Sequence, residues 1–329
     1  IYIKKLISKV YKLLVKILVI QNKMGIGDTV IYLPFIKAIS MKFNCPVSLL
    51  VKENSKAKEF LDQTNYIDQV IYQKKNDNNE GILGTIKLAR ELKKYSFEKV
   101  YIFNSSLRFN LVSRLANIKK IYQYPLFKKR EQHITGAAKK LIKENLSIDV
   151  NENPVIQIDE SLVEKTSKKL NIRQDELNIL LGIGGSGPTK RIPAKTILAF
   201  MKKIKNFKKC KFFLATGKNE GEQKILEEIL DTEFKDQCFP LDNYSIYNTL
   251  PIIKNCNVAV CNDTSFSHLS SALGVKTITL MADSPLIYGS YSTNMYPIIP
   301  DGEQTVTYNT FGKDKINPEK IFNKLISIL

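Results

Sequence analysis

The chain has 329 residues, 43% hydrophobic and 25% charged, a composition that excludes a disordered or fibrous protein and leaves room for two cores. Its formal net charge of +18 points to an anionic partner, such as nucleic acid, a membrane surface or a phosphorylated substrate, or else to lysine-rich composition alone. No RNA-binding signature, zinc-finger spacing or helix-turn-helix accompanies the charge, so nucleic acid is not an expected partner.

Residues 1–16, IYIKKLISKVYKLLVK, carry apolar side chains at helical spacing with lysines between them. Either an interfacial membrane helix or a helix packed on the protein fits that pattern, and both stay open. Ile17–Ile20 reads as a buried strand, Met24–Asp28 as a Gly-rich turn and Thr29–Ile39 as a helix. Gly25 and Gly27 would let backbone pass close to a ligand. Val30 takes the third glycine position of a dinucleotide fingerprint, which therefore fails. Asp28 is either a helix cap or a functional carboxylate.

Strands are expected at Val47–Val51, Gln69–Tyr72 and Lys99–Phe103, with helices near 55–62 and 81–94. This alternation is the mark of a doubly wound parallel sheet. Arg108, Arg114, Lys119 and Lys120, with Lys128, Lys129 and Arg130 in the run LFKKREQH, form a basic region, though any one of them could be plain solvated surface. Periodicity lapses between Glu144 and Glu160, where Pro154 breaks the chain, which divides it into domains over 17–152 and 153–329.

After a helix over Glu160–Leu170 comes LNILLGIGGSGPTKRIP, in which Gly182, Gly184 and Gly187 spell GxGxxG. Pro188 follows at once and no acid ends the next strand, KCKFFLATG, so the ribose carboxylate of a nicotinamide site is missing. Lys190 does not sit at P-loop spacing either. What remains is an anion-binding loop of Gly184, Gly185, Ser186, Thr189, Lys190 and Arg191. Phe212–Ile229 reads as strand, loop and helix, with Glu220 and Glu222 in the loop-to-helix turn, and Ser245–Lys254 as a helix. Val258–Leu280 then gives a strand, a helix from about Thr264 to Leu273, a stop at Gly274 and a second strand. Asn262 or Asp263 would cap that helix, whose N-terminus at the carboxyl edge of a parallel sheet favours an anion. A purely structural βαβ unit fits the same geometry. Pro318–Leu329 is a closing amphipathic helix. The five cysteines lack metal-ligand spacing and read as buried thiols of a reducing compartment. No secretory signal or membrane-spanning run is evident.

Several of these stretches, in this order, resemble glycosyltransferase family 9, the ADP-heptose:lipopolysaccharide heptosyltransferases. NDTSFSHLSSALGVKTITL resembles the family's D-T-G-x-x-H-x-A-A-x-L-G-x-P-T signature through Asp263, Thr264, His268, Ala272, Leu273, Gly274 and Thr277, with Ser265, Ser271 and Lys276 departing from it. MGIGDTVIYLPFIKAI resembles the N-terminal motif whose aspartate is the proposed catalytic base, and Asp28 matches it. In IFNSSLRFNLVSRLA, Ile102 and Asn104 replace the motif's Asp and Gln. Lys190 matches the lysine on the donor phosphates, while Ile192 replaces a Trp. An acid on the donor ribose is Glu220 or Glu222. In TLMADSP, Ala282, Asp283 and Ser284 replace Gly, Pro and Thr.

The resemblance implies two Rossmann-like domains facing a cleft, the GT-B fold, with the acceptor bound by the first and the nucleotide-sugar by the second. It implies inverting transfer of heptose from ADP-heptose to a lipopolysaccharide or lipooligosaccharide core, by a cytoplasmic enzyme peripheral at the inner membrane. Asp28 would be the base, and Gly25, Gly27, Gly184, Gly185, Ser186, Thr189, Lys190, Glu220, Glu222, Asp263, Thr264, Ser265 and His268 the donor set. Arg108, Arg114, Lys128, Lys129 and Arg130 would hold the acceptor. The chain contains no Asp-x-Asp, so no metal is required, although loosely bound Mg²⁺ is compatible. Two other readings stay open: a nicotinamide-dependent oxidoreductase, and an inert, membrane-associated polyanion-binding protein whose donor site has lapsed at Ser265, Ile192 and 282–284.

Overall fold

The computed structural model describes residues 15–23, 25–73, 81–125, 134–151 and 153–329. The expected basic helix over 1–16 lies almost entirely outside them, as do Lys128, Lys129 and Arg130. By its internal contacts the chain forms two compact units, 1–152 and 153–329.

The first unit runs β1 (Ile17–Ile20), α1 (Ile26–Phe43), β2 (Val47–Lys52), α2 (Ala57–Leu61), β3 (Ile67–Gln73), α3 (Gly81–Lys93), β4 (Lys99–Ile102), α4 (Leu107–Leu115), β5 (Lys120–Gln123) and α5 (Ile134–Leu146). Its sheet has the order β3-β2-β1-β4-β5, and every pair is parallel. Central strand β1 reads ILVI and is buried throughout, as a strand covered on both faces must be. One face packs Leu18, Ile20, Val100 and Ile102 against Leu88 and Leu92 of α3 and Phe109 and Val112 of α4. Opposite that buried face, α4 exposes Leu107, Leu111 and Leu115 at four-residue spacing.

The second unit runs α6 (Glu160–Lys169), β6 (Leu177–Gly182), α7 (Ala194–Phe207), β7 (Cys210–Ala215), α8 (Glu220–Leu230), β8 (Cys238–Pro240), α9 (Ile246–Lys254), β9 (Val258–Asn262), α10 (Ser265–Ala272), β10 (Lys276–Leu280), β11 (Met295–Ile298) and α11 (Pro318–Ile328). The strand order is β11-β10-β9-β6-β7-β8, again all parallel. Ile321 and Leu325 of α11 join the core made by α7 and the central strands.

In each sheet the order reverses once, between β1 and β4 and between β6 and β9. A doubly wound sheet opens a crevice at that point, outside the carboxyl ends of the two strands. The loops after β1, β4, β6 and β9 are therefore the places to look for chemistry.

Three local expectations need correction. Helix α1 begins at Ile26, not Thr29, because Gly25 takes φ +107°, a conformation that ends the turn there and that L side chains rarely adopt. The expected helix near 55–62 is a 3₁₀ turn over Glu53–Ser55 followed by short α2, separated by Lys56 at φ +50°. The cap of α10 is Thr264, whose hydroxyl accepts from Phe266 N at 3.2 Å, rather than Asn262 or Asp263. Those two side chains are engaged elsewhere, Asn262 by the loop after β6 and Asp263 by Lys190. All five cysteines are free; four are buried and Cys238 is half-buried.

Candidate active site

In the second unit the crevice is walled by the loop after β6 on one side and the start of α10 on the other. Asn262, the last residue of β9, ties them together by donating from Nδ2 to the carbonyls of Ile183 (2.9 Å) and Gly184 (3.0 Å). The next residue, Asp263, accepts from Lys190 Nζ at 2.7 Å and from Ser284 Oγ at 2.5 Å, both on Oδ2. Its other oxygen faces His268 Nε2 at 3.8 Å. Burial opposes charge on Asp263, but Lys190, His268 and the Ser284 hydroxyl outweigh it and hold the carboxyl below the ordinary range. Lys190 is 22% exposed and Asp263 only 5%, so an incoming anion reaches the ammonium and not the carboxylate behind it.

His268 lies one turn into α10 and is buried. Burial lowers its pKa to about 4, Asp263 opposing and Lys190 reinforcing the shift, so the ring is neutral at pH 7. Thr264 and Ser265 are half-buried at the mouth of the helix, where backbone amides and the helix dipole favour negative charge.

The loop after β6 is held from beneath by Glu222. Its Oε1 accepts from Gly185 N at 2.5 Å and its Oε2 from Asn219 Nδ2, while Asn219 caps α8. The carboxylate fits only because its neighbours lack side chains: a Cβ on Gly184 would stand 2.6 Å from Oε1, and one on Gly217 2.2 Å from Oε2. Arg191 Nε donates to Gly185 O at 3.0 Å, fixing the loop from the other side. Glu220 is exposed on the first turn of α8, and Ser186 is exposed in the loop. Thr189 donates to Asp283, which also accepts from Phe311 N at 2.9 Å.

In the first unit, Gly25 starts α1, Gly27 is buried in its first turn, and Asp28 is the third helical residue, half-buried. Asp28 is not the cap. Its Oδ2 lies over Gly25, 3.7 Å from where a Cβ would be, and the backbone carbonyl of Asp28 accepts from Gln21 Nε2 at 3.2 Å. A carboxylate there is favoured by the helix dipole. Across the crevice, Gln123 Nε2 donates to the carbonyls of Asn104 (3.1 Å) and Ser106 (2.9 Å) and shapes the loop after β4. Arg108 occupies the first turn of α4, at the crevice. Arg114 stands six residues on, about 9 Å further along the axis, where its Nε donates to Asn110 Oδ1 at 2.8 Å. The two arginines are thus not one cluster.

Comparison with known proteins decides what this arrangement belongs to. The model of glycosyltransferase family 9 (heptosyltransferase) matches residues 85–304. The chain belongs to glycosyltransferase family 9. Lipopolysaccharide heptosyltransferase 1 of Campylobacter coli is 30% identical over 165 residues, 49% of this chain and 47% of that protein, so the match spans about half the curated relative's length. Among solved structures, ADP-heptose lipopolysaccharide heptosyltransferase II of E. coli superposes with a TM-score of 0.73 at 17% identity, covering 95% of this chain and 98% of that one. A family 9 glycosyltransferase from Veillonella parvula DSM 2008 gives 0.75 at 17% identity, covering 95% and 96%. These likenesses establish the fold, two doubly wound α/β units of the GT-B class.

Within this family 9 chain, Gly184, Gly185, Lys190, Glu222, Asp263, Thr264 and His268 come together at the second crevice, and Gly25, Gly27 and Asp28 lie at the first. Sequence reasoning missed Tyr291 and Asn219, and it gave Asn262, Ser284 and Arg191 no holding role. Ser284 was readable: it stands where the resemblance has threonine and keeps the hydroxyl. Tyr291 falls in the irregular stretch between β10 and β11, where no periodicity marks which way a side chain faces.

Proposed function

We propose that the chain is an inverting glycosyltransferase that moves heptose from ADP-heptose to a lipopolysaccharide core acceptor. The observation that carries this reading is the Lys190–Asp263 centre at the β6/β9 crevice. It offers a solvent-accessible ammonium, a glycine loop and a helix mouth to a diphosphate. No acid ends β7, whose last residue is Ala215, so nothing favours a nicotinamide ribose there. Two departures from the family pattern are accommodated: Ile192 is fully buried in the core and Ser284 binds Asp263.

In the reaction, Asp28 takes the proton from the acceptor hydroxyl as its oxygen attacks the anomeric carbon from the face opposite the diphosphate. The bond from that carbon to the diphosphate oxygen breaks, and the configuration inverts. Lys190 and the donors at Thr264 and Ser265 stabilise the charge gathering on the leaving diphosphate. Glu222 holds the glycine loop from beneath, and the acid on the donor ribose is Glu220 or Glu222. The acceptor is anionic, and charge complements it: residues 1–152 hold 28 of the 50 Lys and Arg but 13 of the 32 Asp and Glu, net +15, against +3 for the remainder. The same charge, with the exposed leucines of α4, suits a peripheral position on an anionic membrane.

The test is ADP release from ADP-heptose with deacylated core oligosaccharide as acceptor. Asp28→Asn should lower turnover by roughly 10²- to 10⁴-fold and leave the dissociation constant for ADP unchanged. Near-normal turnover in that variant would remove Asp28 as the base, and no turnover by the wild-type chain on any core acceptor would remove the reading itself.

A further inference from the structure

The segment between β10 and β11 sends two side chains into the centre beneath Lys190. Ser284 Oγ donates to Asp263 Oδ2. Tyr291 brings its hydroxyl within 2.8 Å of His268 Nδ1, and the two rings stack at 5.6 Å with an interplanar angle of 19°. His268 in turn presents Nε2 to the free oxygen of Asp263. Tyr291, His268, Asp263 and Lys190 thus form one chain of polar contacts, in which the two middle members are buried and the last, Lys190, is 22% exposed at the crevice.

The chemistry fixes the direction of that chain. A carboxylate 3.8 Å from Nε2 favours the imidazole proton on Nε2, which leaves Nδ1 as an acceptor for the Tyr291 hydroxyl. Burial keeps that hydroxyl protonated, Asp263 adding to the effect, so it remains a donor. The hydrogen bond from Tyr291 to Nδ1 orients the His268 ring, its Nε2–H then faces the Asp263 carboxylate across 3.8 Å, and Ser284 binds that carboxylate directly. Lys190 then has one place for its ammonium.

We propose that Tyr291 and Ser284 are positioning residues that set the donor-phosphate lysine: Tyr291 through His268 and Asp263, Ser284 through Asp263 directly. This rests on the reading of Lys190 as a phosphate ligand. A positioning role predicts non-additivity. Losing a hydrogen bond that steers Lys190 should matter only while Lys190 is present.

The experiment measures ADP and adenosine binding by calorimetry for wild type, Tyr291→Phe, Ser284→Ala, Lys190→Ala and the two double variants with Lys190→Ala. Tyr291→Phe and Ser284→Ala should each weaken ADP about three- to tenfold, leave adenosine unchanged, and add nothing in the Lys190→Ala background. Equal losses for both ligands, or full additivity with Lys190→Ala, would overturn the proposal. A second readout does not depend on the donor. The chain has only two histidines, His133 and His268, so ¹⁵N imidazole spectra resolve them. His268 should show the Nε2–H form and resist protonation until pH is near 4, and Tyr291→Phe should mix its tautomers. If wild type binds no ADP, the donor reading fails and the spectra alone decide. An unaltered His268 signal in Tyr291→Phe would then refute the relay.

Discussion

Replacing Lys190 with alanine strands a carboxylate. Asp263 is 5% exposed and would keep only Ser284 as a donor, with neutral His268 3.8 Å away. Removing one partner of a buried ion pair costs about 3–5 kcal/mol. Lys190 is 22% exposed and the Ser284 bond survives, so the lower end, about 3 kcal/mol, applies here. In a unit the size of 153–329 each kcal/mol moves the midpoint by about 2–4 °C, so the variant should melt roughly 6–12 °C early. Adding Asp263→Asn removes the stranded charge and should recover at least half of the loss. Differential scanning calorimetry of the ligand-free proteins at pH 7 makes the comparison. Acid gives a second check. In the wild type Asp263 titrates below the ordinary carboxylate range, so its contribution is present above about pH 4 and lost below. Without Lys190, burial prevails and the carboxyl takes up a proton earlier, so the gap between variant and wild type should narrow on approach to pH 4. An unchanged midpoint in Lys190→Ala, or a double variant that melts lower still, would refute the argument.

The neutral state of His268 makes stability depend on pH. Its folded pKa of about 4 lies below the ordinary 6.5, so its contribution is complete above pH 6.5 and falls as pH drops through that window, by about 3 kcal/mol in all; urea titrations at pH 7 and 4.5 should show this, and His268→Gln should flatten it. Serine at Leu107, Leu111 and Leu115 should abolish sedimentation with anionic vesicles while shifting stability by no more than about 0.5 kcal/mol at each exposed site. Binding that survives this change but vanishes on removal of residues 1–15 would place the membrane contact in the N-terminal segment instead. Gly184→Ala should displace the Glu222 carboxylate, which it meets at 2.6 Å, and so weaken ADP binding; unchanged affinity would mean the loop tolerates the shift.

What the sequence made legible follows from how each feature is encoded. Buried central strands such as ILVI and the Val258–Leu280 unit announce themselves by unbroken apolar runs and a glycine stop, and the alternation of elements yielded the doubly wound class. The edge strands β5, β8 and β11 went unforeseen: each is three or four residues long, partly exposed, and too short to show a period. The identity of the cap on α10 was misread because Asn262, Asp263 and Thr264 are all competent caps. Tertiary demand chose among them: Asn262 was needed across the sheet and Asp263 by Lys190, which left Thr264. Tyr291 and Ser284 are legible only in three dimensions, since their partners lie 23 and 21 residues earlier in the chain.

The carboxylate of Glu222, wedged between Gly184 and Gly217, also sets an order on how this sequence can change. While Glu222 is present, any side chain at 184 or 217 collides with an oxygen held by Gly185 and Asn219. A shorter residue at 222 would lift that veto, and larger residues could then settle at either glycine. Once one had, return of glutamate would meet the same collision, now in the resident background. The three positions are therefore coupled in order: position 222 must shorten before either glycine is replaced, and glutamate can return only after the glycine has.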